Sequence, residues 1–435
     1  MGARETALNV LIACRKEGGW SNGVLKEYLQ RDRLDRRDAA LATRLCYGVL
    51  QNRLKLDHYL QQLLTGKVKD LHPAVRDILH LGLYQLREMD KVPSSAAVNE
   101  SVDLAKKYCK KQRYAPGLVN AVLRKAADAP LREPTGWQEM YSHPQALIDL
   151  LKSYVGKERM EKMLIANNEA PDTVVQVNTL KITTAALAAR LEGEGVVACP
   201  HGWMKDCLVL SGTGNLEKLP AFREGLFYVQ DAAAKLSVLC AELTEGQCVL
   251  DCCAAPGGKS FAAAIAMGGN GSIISCDVHP HKAELIANGA ARLGIEILSA
   301  RCQNATAFVP EWEEKMDTVI ADVPCSGLGI IRKKPDIRYK DLQEMKALPA
   351  LQLQILKNQA RYVRPGGVLL YSTCTLVRAE NESVLEAFLK ENLDFSLEKL
   401  PLPGIFPENN SGMLVLVPGE YDTDGFFIAK LRRKS

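Results

Sequence analysis

The sequence lacks a long apolar run: no stretch of its 435 residues approaches the roughly 20 apolar residues that a membrane-spanning helix needs. The first residues, Met1 to Thr6, also lack the apolar core of a secretory signal peptide. Hydrophobic residues make up 47% and charged residues 24%, an ordinary composition for a soluble protein. We therefore expect a cytoplasmic monomer without membrane contact, and the length predicts two to three domains.

Motifs that would indicate a metal site or a nucleoside triphosphatase are also missing. The thirteen cysteines include no Cys-x-x-Cys pair with a matching second pair, so neither a disulfide framework nor a structural zinc site is predicted. The clustered Cys248, Cys252 and Cys253 lie on and just after one predicted strand, where their side chains do not converge easily, and we expect no metal there. The absence of Gly-x-x-x-x-Gly-Lys-Ser/Thr argues against a nucleoside triphosphatase.

Negative charge does not balance positive charge at the front of the chain. The net charge is only +4, but residues 1–130 hold 23 Lys and Arg against 14 Asp and Glu. A basic segment of this kind favours a polyanionic partner. This segment contains a basic cluster, formed by Lys106, Lys107, Lys110, Lys111, Arg113, Arg124 and Lys125. Two interpretations of the cluster stay open: it contacts nucleic acid, or it is an ordinary solvated helix face.

The front of the chain has helical periodicity. Apolar residues recur at helical spacing from Ala42 to Leu50 and again from Val75 to Leu86. Pro73 suits a first helical turn, and Asp35 is placed to cap the helix that follows it. We interpret both stripes as the core of an all-α bundle over residues 1–130.

The sequence pattern of residues 131–219 predicts a small α/β module of RRM-like type. An irregular linker with Pro130 and Pro134 precedes its first predicted element. Its predicted elements are a helical stretch near 144–168, a strand at 173–178, a helix near 183–193 and a strand at 207–210. Two interpretations stay open: the module is a platform against RNA, or a spacer packed on the next domain.

Residues 220–435 alternate apolar strands with helices. The predicted strands are 248–251, 272–277, 317–322, 367–372 and 426–430. This alternation predicts a doubly wound, Rossmann-like domain with a parallel sheet covered on both faces. Ligands of such sheets bind at the carboxyl ends of the strands.

A glycine-rich turn, residues 254–259, follows the strand that ends at Asp251 and opens a predicted helix. Gly257 and Gly258 allow positive φ and the close approach of a ligand, while the helix start offers unpaired N–H groups to a carboxylate or phosphate. Asp277 ends the next strand and is placed to accept both ribose hydroxyls of a nucleoside cofactor.

The glycine turn, the Asp-Val-Pro-Cys motif in Asp322–Gly329 and the Ser-Thr-Cys-Thr motif in Tyr371–Leu376 together resemble the RsmB/Nop2 (Sun) family of RNA cytosine-5 methyltransferases. Val92–Lys106 and Leu118–Arg124 are similar to the NusB family of RNA-binding helical domains. The resemblance implies S-adenosylmethionine as cofactor and a methyl group transferred to C5 of a cytidine. The NusB-like front domain implies 16S (small-subunit) ribosomal RNA as the partner; transfer RNA, large-subunit RNA and DNA are the rival substrates.

Two cysteines lie in these motifs, and cytosine chemistry explains why two are needed. C5 of cytosine is a poor nucleophile, so a thiolate must first add to C6, and a base must later remove the C5 proton. The residues alone leave the order open, because the Pro-Cys nucleophile of DNA cytosine methyltransferases would favour Cys325. The resemblance implies Cys374 as nucleophile and Cys325 as the base that releases the product. Since the target base must be unstacked, we expect a loop or a partly assembled RNA as substrate.

The resemblance also implies a set of cofactor contacts. They are Cys253, Ala254, Ala255, Pro256, Gly257, Gly258, Lys259, Asp277, Asn304 and Asp322. Asn304 stands where the family usually has an aspartate near the adenine, and an uncharged amide oxygen accepts a weaker hydrogen bond. Asp322 is also placed to hold the N3 or N4 edge of cytosine. Lys259 orients the cofactor or the carboxylates in one interpretation and reaches solvent in the other.

A non-catalytic RNA-binding scaffold led by the helical domain is the alternative function. Both cysteines, Asp322 and the glycine turn argue against it, since a scaffold needs none of them. Beyond the Asp-Val-Pro-Cys motif, Arg332, Lys333 and Lys334 are interpreted as phosphate contacts, with a solvated turn as the alternative.

Overall fold

The structure, a computed structural model, describes residues 1–17, 21–408 and 410–435. The chain divides into two compact units. The helical unit comprises Met1–Glu169 together with Ile331–Lys340, and the sheet unit comprises Ala170–Ile330 together with Asp341–Ser435. In the parts of the chain that the structure describes, no helix combines the length and the apolar character needed to cross a membrane.

Helices and strands follow the pattern that the sequence predicts. The α-helices of the described residues are α1 Ala3–Glu17, α2 Ser21–Asp32, α3 Arg36–Leu63, α4 Pro73–Glu88, α5 Ser94–Tyr108, α6 Ala115–Asp128, α7 Trp137–Met140, α8 Gln145–Val155, α9 Lys157–Ala166, α10 Thr184–Gly193, α11 Pro220–Arg223, α12 Ala232–Leu239, α13 Gly258–Ala266, α14 Pro280–Leu293, α15 Leu348–Ala360 and α16 Glu382–Glu391. The strands are β1 Thr173–Val177, β2 Val197–Pro200, β3 Cys207–Ser211, β4 Phe227–Val229, β5 Cys248–Asp251, β6 Ser272–Asp277, β7 Leu298–Cys302, β8 Met316–Asp322, β9 Val363–Thr373, β10 Phe395–Leu397, β11 Met413–Leu416 and β12 Phe426–Arg433.

The predicted all-α bundle is confirmed in the helical unit. Helix α3 begins after Asp35, whose carboxylate accepts a hydrogen bond from Asp38 N at 2.8 Å, and α4 begins at Pro73. Leu45 and Val49 of the predicted apolar stripe are buried in the core of this unit. Local capping and periodicity therefore determine these helices before any tertiary contact is considered.

The helical stretch predicted near 144–168 is two helices rather than one. Gly156 separates α8 from α9 with φ 78°, a backbone conformation that favours glycine. Each helix buries its own apolar side chains, among them Leu151 of α8 and Met163 of α9. The sequence already shows the break, since the next apolar residue after Val155 is Met160, five positions on, instead of three or four.

The segment Ile331–Lys340 places one fully buried guanidinium in the helical unit. Arg338 lies in the short 3-10 helix Pro335–Tyr339 and is 1% exposed. Its guanidinium donates hydrogen bonds to Gln51 O at 3.1 Å, Ser142 O at 3.3 Å, Asn167 O at 3.1 Å and Asn168 Oδ1 at 2.8 Å. Burial lowers the pKa of Arg338 to about 10, which leaves the group charged at neutral pH.

Arg338→Met is expected to destabilise the helical unit by about 3 kcal/mol. The substitution keeps the volume of the side chain but leaves buried carbonyl groups without a donor. Urea unfolding followed by far-ultraviolet circular dichroism measures the change. Arg37→Met, at an exposed position of α3, is the matched control and is expected to stay within about 0.5 kcal/mol of the parent. Equal unfolding midpoints for the two variants would contradict a structural role of Arg338.

The smaller sheet of the sheet unit is antiparallel, with strand order β2-β3-β1-β4. Helix α10 packs on it through Leu187 and Leu191, which share a buried cluster with Val175 of β1 and Leu208 of β3. This sheet confirms the predicted small α/β module. The boundary between the two compact units falls after residue 169, whereas the predicted domain boundaries fall at 130 and 219. The three-domain division therefore stays a prediction.

The larger sheet carries the predicted Rossmann-like pattern. Its order is β10-β12-β9-β8-β5-β6-β7, and the five strands from β9 to β7 are parallel to one another. The prediction of an all-parallel sheet is wrong for the last strand, since β12 pairs antiparallel with β9, Phe427 lying opposite Thr373. The pairings of β12 make β10 parallel to β9, and β10 lies beside the end of β12, with Phe395 opposite Arg433 and Leu397 opposite Leu431.

Candidate active site

The predicted site residues lie along one edge of the larger sheet, at the carboxyl ends of its parallel strands. Asp277 ends β6 and Asp322 ends β8, while Cys374 directly follows β9. The strand order reverses between β5 and β8, which is where doubly wound sheets bind their ligands. Backbone hydrogen bonds beyond the strands hold the loops in this order: Gln303 N to Asp277 O at 3.0 Å, Ala254 N to Cys276 O at 2.8 Å, Cys252 N to Ile320 O at 3.1 Å and Val323 N to Ser372 O at 3.1 Å.

The glycine turn is shaped to receive an anionic group. Gly257 has φ 108° and precedes α13 without any side-chain cap on the first turn of that helix. A Cβ at Gly257 would lie 2.4 Å from the ring of Phe261, so only glycine fits here. The N–H groups at the start of α13 therefore face the edge of the sheet as donors for a carboxylate.

The residues before Gly257 connect the end of β5 to α13. Ala254 is buried, Cys253 and Ala255 are half-buried and Pro256 is exposed. The Cys253 thiol lies 3.8 Å from the Cys252 thiol, and the peptide between Ala255 and Pro256 is cis. These residues line the turn, and a ligand bound there would contact their backbone.

The two polar residues on the other side of the turn differ in their surroundings. Asp277 is 7% exposed, and its Oδ1 accepts a hydrogen bond from His279 N at 3.0 Å. Asn304 is exposed, but its Oδ1 accepts from both N and Oγ1 of Thr306, at 3.0 and 2.9 Å. The oxygen of Asn304 is thus satisfied within its own turn, and its amide nitrogen is the group left to donate to a ligand.

Lys259 points to the carboxylate of Asp322. Its Nζ lies 2.7 Å from Asp322 Oδ2, and the lysine side chain is only 11% exposed. Ser372 Oγ donates to the other oxygen of Asp322 at 2.7 Å. Burial lowers the pKa of Lys259, but the charge and hydrogen bond of Asp322 raise it more, so its net shift is upward. The positive charge of Lys259 is therefore stabilised by the adjacent carboxylate of Asp322.

The two cysteines of the later motifs lie side by side. Cys325 Sγ and Cys374 Sγ are 3.1 Å apart, and both side chains are half-buried. The hydrogen bond to Cys374, followed by burial and by the negative charge of Cys374 and Glu380, raises the pKa of the Cys325 thiol well above its usual value. Cys325 therefore keeps its proton at neutral pH.

A buried polar network behind the turn is absent from the sequence-based predictions. Asp251 is fully buried, and Ser260 Oγ donates to its Oδ2 at 2.7 Å. Ser275 Oγ in turn donates to Ser260 Oγ at 2.7 Å. Burial raises the pKa of Asp251 to about 7, although Ser260 and Lys259 offset part of the rise.

Asp251→Asn is expected to remove a pH dependence of stability. Because the pKa of Asp251 is raised to about 7 in the folded protein, the folded state binds more protons than the unfolded state between about pH 4 and 7. The contribution of Asp251 to the free energy of unfolding therefore falls through this interval and is constant above it. Urea unfolding at pH 5 and 8 should show that the parent loses about 2 to 4 kcal/mol more than the variant. The exposed Glu313→Gln should behave like the parent, and an unchanged profile in Asp251→Asn would contradict the assignment.

Some functional candidates were not identified from the sequence. Glu380 and Asn381 are buried beside the cysteine motifs, but the polar run from Arg378 to Ser383 looks like an ordinary solvated helix start. Arg332, predicted to contact phosphate, is only 8% exposed, and the phosphate contacts of Arg332, Lys333 and Lys334 stay a prediction. Among the described residues, no cluster of three or more His, Cys, Asp or Glu side chains is placed to hold a metal ion.

Known families match three successive parts of the chain. The NusB family matches residues 1–128, the Methyltr_RsmF/B-like ferredoxin-like domain matches 143–217, and 16S rRNA methyltransferase RsmB/F matches 238–432. These matches confirm the predicted fold class: a NusB-like bundle, a small RRM-like module with a ferredoxin-like fold, and a Rossmann-like methyltransferase domain.

Individual proteins are similar to this chain over nearly its whole length. The probable ribosomal RNA small subunit methyltransferase B of Bacillus subtilis is 34% identical over 447 residues, with 99% of this chain and 98% of the relative covered. The probable enzyme of the same name from Synechocystis is 34% identical over 446 residues, with both chains fully covered. The crystal structure of PH0851 matches with a TM-score of 0.82 and 26% identity over 98% of both chains. As its motifs predicted, this chain belongs to the RsmB/F family of 16S rRNA methyltransferases.

Proposed function

We propose that this protein methylates C5 of a cytidine in 16S ribosomal RNA, with S-adenosylmethionine as methyl donor and a covalent bond between Cys374 and C6 of the base as intermediate. The observation that carries the proposal is the pair of thiols 3.1 Å apart, one of which is held protonated, beside the Lys259–Asp322 ion pair. A methyltransferase acting on oxygen or on an exocyclic nitrogen needs no such pair.

The edge from the glycine turn to Asn304 fits S-adenosylmethionine, which supplies an electrophilic methyl group when it is bound. The uncapped first turn of α13 suits the carboxylate of the methionine part, and the buried Asp277 suits the two ribose hydroxyls. Asn304 would meet the adenine through its amide nitrogen, because its oxygen is already bonded to Thr306. This is a different contact from the accepting one that the sequence suggested. Residues 253–256 and Asp322 complete the proposed contacts.

The protonation of Cys325 supports Cys374 as nucleophile. A thiol that keeps its proton does not add to C6, so the raised pKa of Cys325 is consistent with Cys374, the cysteine of the Ser-Thr-Cys-Thr motif, as the attacking residue. Interaction with the charge of Cys374 is among the causes that raise the pKa of Lys259, so this lysine lies near the proposed nucleophile. When the bond to C6 forms, the negative charge on Cys374 disappears, and with it part of what raises the pKa of Cys325. Cys325 then loses its proton to solvent more readily and serves as the base that removes the C5 proton.

Asp322 is proposed to hold the cytosine while Cys374 attacks. Its two oxygens are fixed by Lys259 and Ser372, so the carboxylate is oriented before the substrate arrives. The carboxylate can accept a hydrogen bond from the N4 amino group of cytosine, or from N3 when that nitrogen is protonated, and a proton on N3 offsets the negative charge that reaches the ring when the thiolate adds to C6. The base has to leave its stack to reach this site, which favours a loop or a partly assembled subunit as substrate.

The choice of 16S ribosomal RNA rests on the family and on the basic face of the helical unit. Lys110, Lys111 and Arg113 are exposed next to the exposed ring of Tyr114, a combination that suits an RNA backbone and its bases. Methylation of ribosomal RNA also fits the predicted cytoplasmic location. Transfer RNA and large-subunit RNA are the substrates against which this choice has to be tested.

Release of hydrogen from C5 tests the proposal. A 16S transcript carrying [5-³H]cytidine, incubated with the protein and S-adenosylmethionine, is expected to release tritium to water in equal amount to the methyl groups gained. Transfer RNA and 23S transcripts are the controls, and bisulfite sequencing then locates the modified base. Methyl transfer without tritium release would place the methyl group on another atom. Absence of both methyl transfer and cofactor binding would instead favour the RNA-binding scaffold.

A further inference from the structure

Two adjacent buried residues, Glu380 and Asn381, lie against both cysteine loops. Glu380 is 1% exposed and Asn381 is fully buried, although both belong to a polar run just before α16. A buried carboxylate and a buried amide are costly unless their hydrogen bonds are satisfied, so their partners show what they do.

Glu380 holds the loop that carries Cys325. Its Oε2 accepts a hydrogen bond from Ser326 N at 2.8 Å and another from Gln352 Nε2 at 3.0 Å. Gln352 Nε2 also donates to Pro324 O at 2.9 Å. The residues on both sides of Cys325 are therefore fixed by one buried carboxylate and its amide partner.

Asn381 does the same for the loop that carries Cys374. Its Oδ1 accepts from Thr373 Oγ1 at 2.6 Å, and its Nδ2 donates to Thr375 O at 3.0 Å. The two loops are also joined directly, since the hydroxyls of Ser326 and Thr375 are 2.7 Å apart. Consecutive residues of one chain segment thus hold the two thiols from the same side.

We propose that Glu380 and Asn381 are positioning residues that together set the distance between the two active-site thiols, Glu380 by fixing the loop of Cys325 and Asn381 by fixing the loop of Cys374. This rests on the proposed two-cysteine function. One peptide joins the two residues, so a displacement of this segment would disturb both loops. The arrangement keeps the two thiols close enough for one to affect the pKa of the other. It also keeps them far enough apart for each to act in a separate step.

Glu380 also acts on Cys325 through its charge. The ionisable groups that raise the pKa of Cys325 are Cys374, after β9, and Glu380, before α16. Tyr371 of β9 is buried beside them, and its hydroxyl donates to the carbonyl of Glu380 at 2.5 Å. Neutralising Glu380 while keeping its shape should therefore make Cys325 easier to ionise.

Alkylation of Cys325 tests the Glu380 contact without any RNA. In a Cys374→Ser background, the rate at which iodoacetamide modifies Cys325 is followed from pH 7 to 11 by mass spectrometry of the peptide. Adding Glu380→Gln is expected to lower the midpoint by about one pH unit, equivalent to about tenfold faster modification at a pH below the midpoint. Glu386→Gln, exposed on α16 and paired with Arg378, should leave the midpoint unchanged. Equal midpoints for Glu380→Gln and the background would overturn the role of Glu380.

Covalent capture of RNA tests the Asn381 contact. In a Cys325→Ala background, Asn381→Asp keeps the acceptor for Thr373 but loses the donor to Thr375 O, and adduct formation is expected to slow about tenfold or more. Asn392→Asp, at the other end of α16 with a single bond to Phe388 O, is the matched control. Equal rates in all three proteins would overturn the role of Asn381. Failure of the background itself to form an adduct would instead overturn the proposed function, while the alkylation result would still stand.

Discussion

Cys374→Ala is expected to abolish methylation of 16S ribosomal RNA, with a loss of at least about 1,000-fold, because the substitution removes the thiol proposed to add to C6 of the base. Cys325→Ala is expected to leave that first step intact and to block release, since the base that removes the C5 proton is missing. The RNA then stays attached to Cys374. Because the two thiols are only 3.1 Å apart, opposite outcomes would reflect their chemical roles and not their locations.

A denaturing gel with end-labelled 16S transcript separates the two outcomes. A slowly migrating protein–RNA band should accumulate in Cys325→Ala and be absent from Cys374→Ala. Cys199→Ala, at an exposed position of β2, is the control and should turn over like the parent. A stable adduct in Cys374→Ala would reverse the assignment of the two cysteines.

Asp322→Asn is expected to slow methyl transfer by about 100-fold or more. The substitution removes the carboxylate proposed to hold the cytosine, and it leaves the buried Lys259 without its counter-charge. Burial then lowers the pKa of Lys259 with nothing to oppose it from Asp322. The lysine therefore also loses part of its positive charge.

Single-turnover kinetics and a double substitution distinguish these two contributions. Lys259→Met alone should also slow the reaction, and the Lys259→Met, Asp322→Asn double variant should be less damaged than the product of the single effects, because each single variant leaves a partner unpaired. The loss should appear mainly in kcat if the carboxylate acts after binding. Fully multiplicative effects of the two substitutions would show that the ion pair does not act as a unit.

Much of the site could be predicted because strand ends are visible in the sequence. Asp251, Asp277 and Asp322 each end an apolar run, and a parallel sheet brings such ends to one edge. The glycine turn can be recognised in the sequence equally well, since Gly257 adopts a φ that other residues avoid. Local chemistry and strand pattern are therefore sufficient to assemble the list of candidates.

The residues that support the cysteines could not be predicted in this way. Glu380 and Asn381 follow Cys374 in a polar run that is typical of a solvated helix start, and only the tertiary structure buries them. Arg338 is similar, because a basic residue after an active-site loop suggests RNA contact, yet its guanidinium is buried among backbone carbonyl groups of the helical unit. Burial of a polar side chain depends on which distant groups satisfy it, and periodicity carries no information about them.

The sequence by itself determined the all-α front, the alternating strands, the glycine turn and the presence of two cysteines in motifs of one family. Each of these depends on short-range preferences or on residue identity. Only the tertiary structure decided that Cys325 and Cys374 meet, that Lys259 turns to Asp322 and that β12 runs antiparallel. The physical reason is that charge pairing, burial and strand direction depend on contacts between residues that are far apart in the chain. Only folding brings these residues close enough to influence one another.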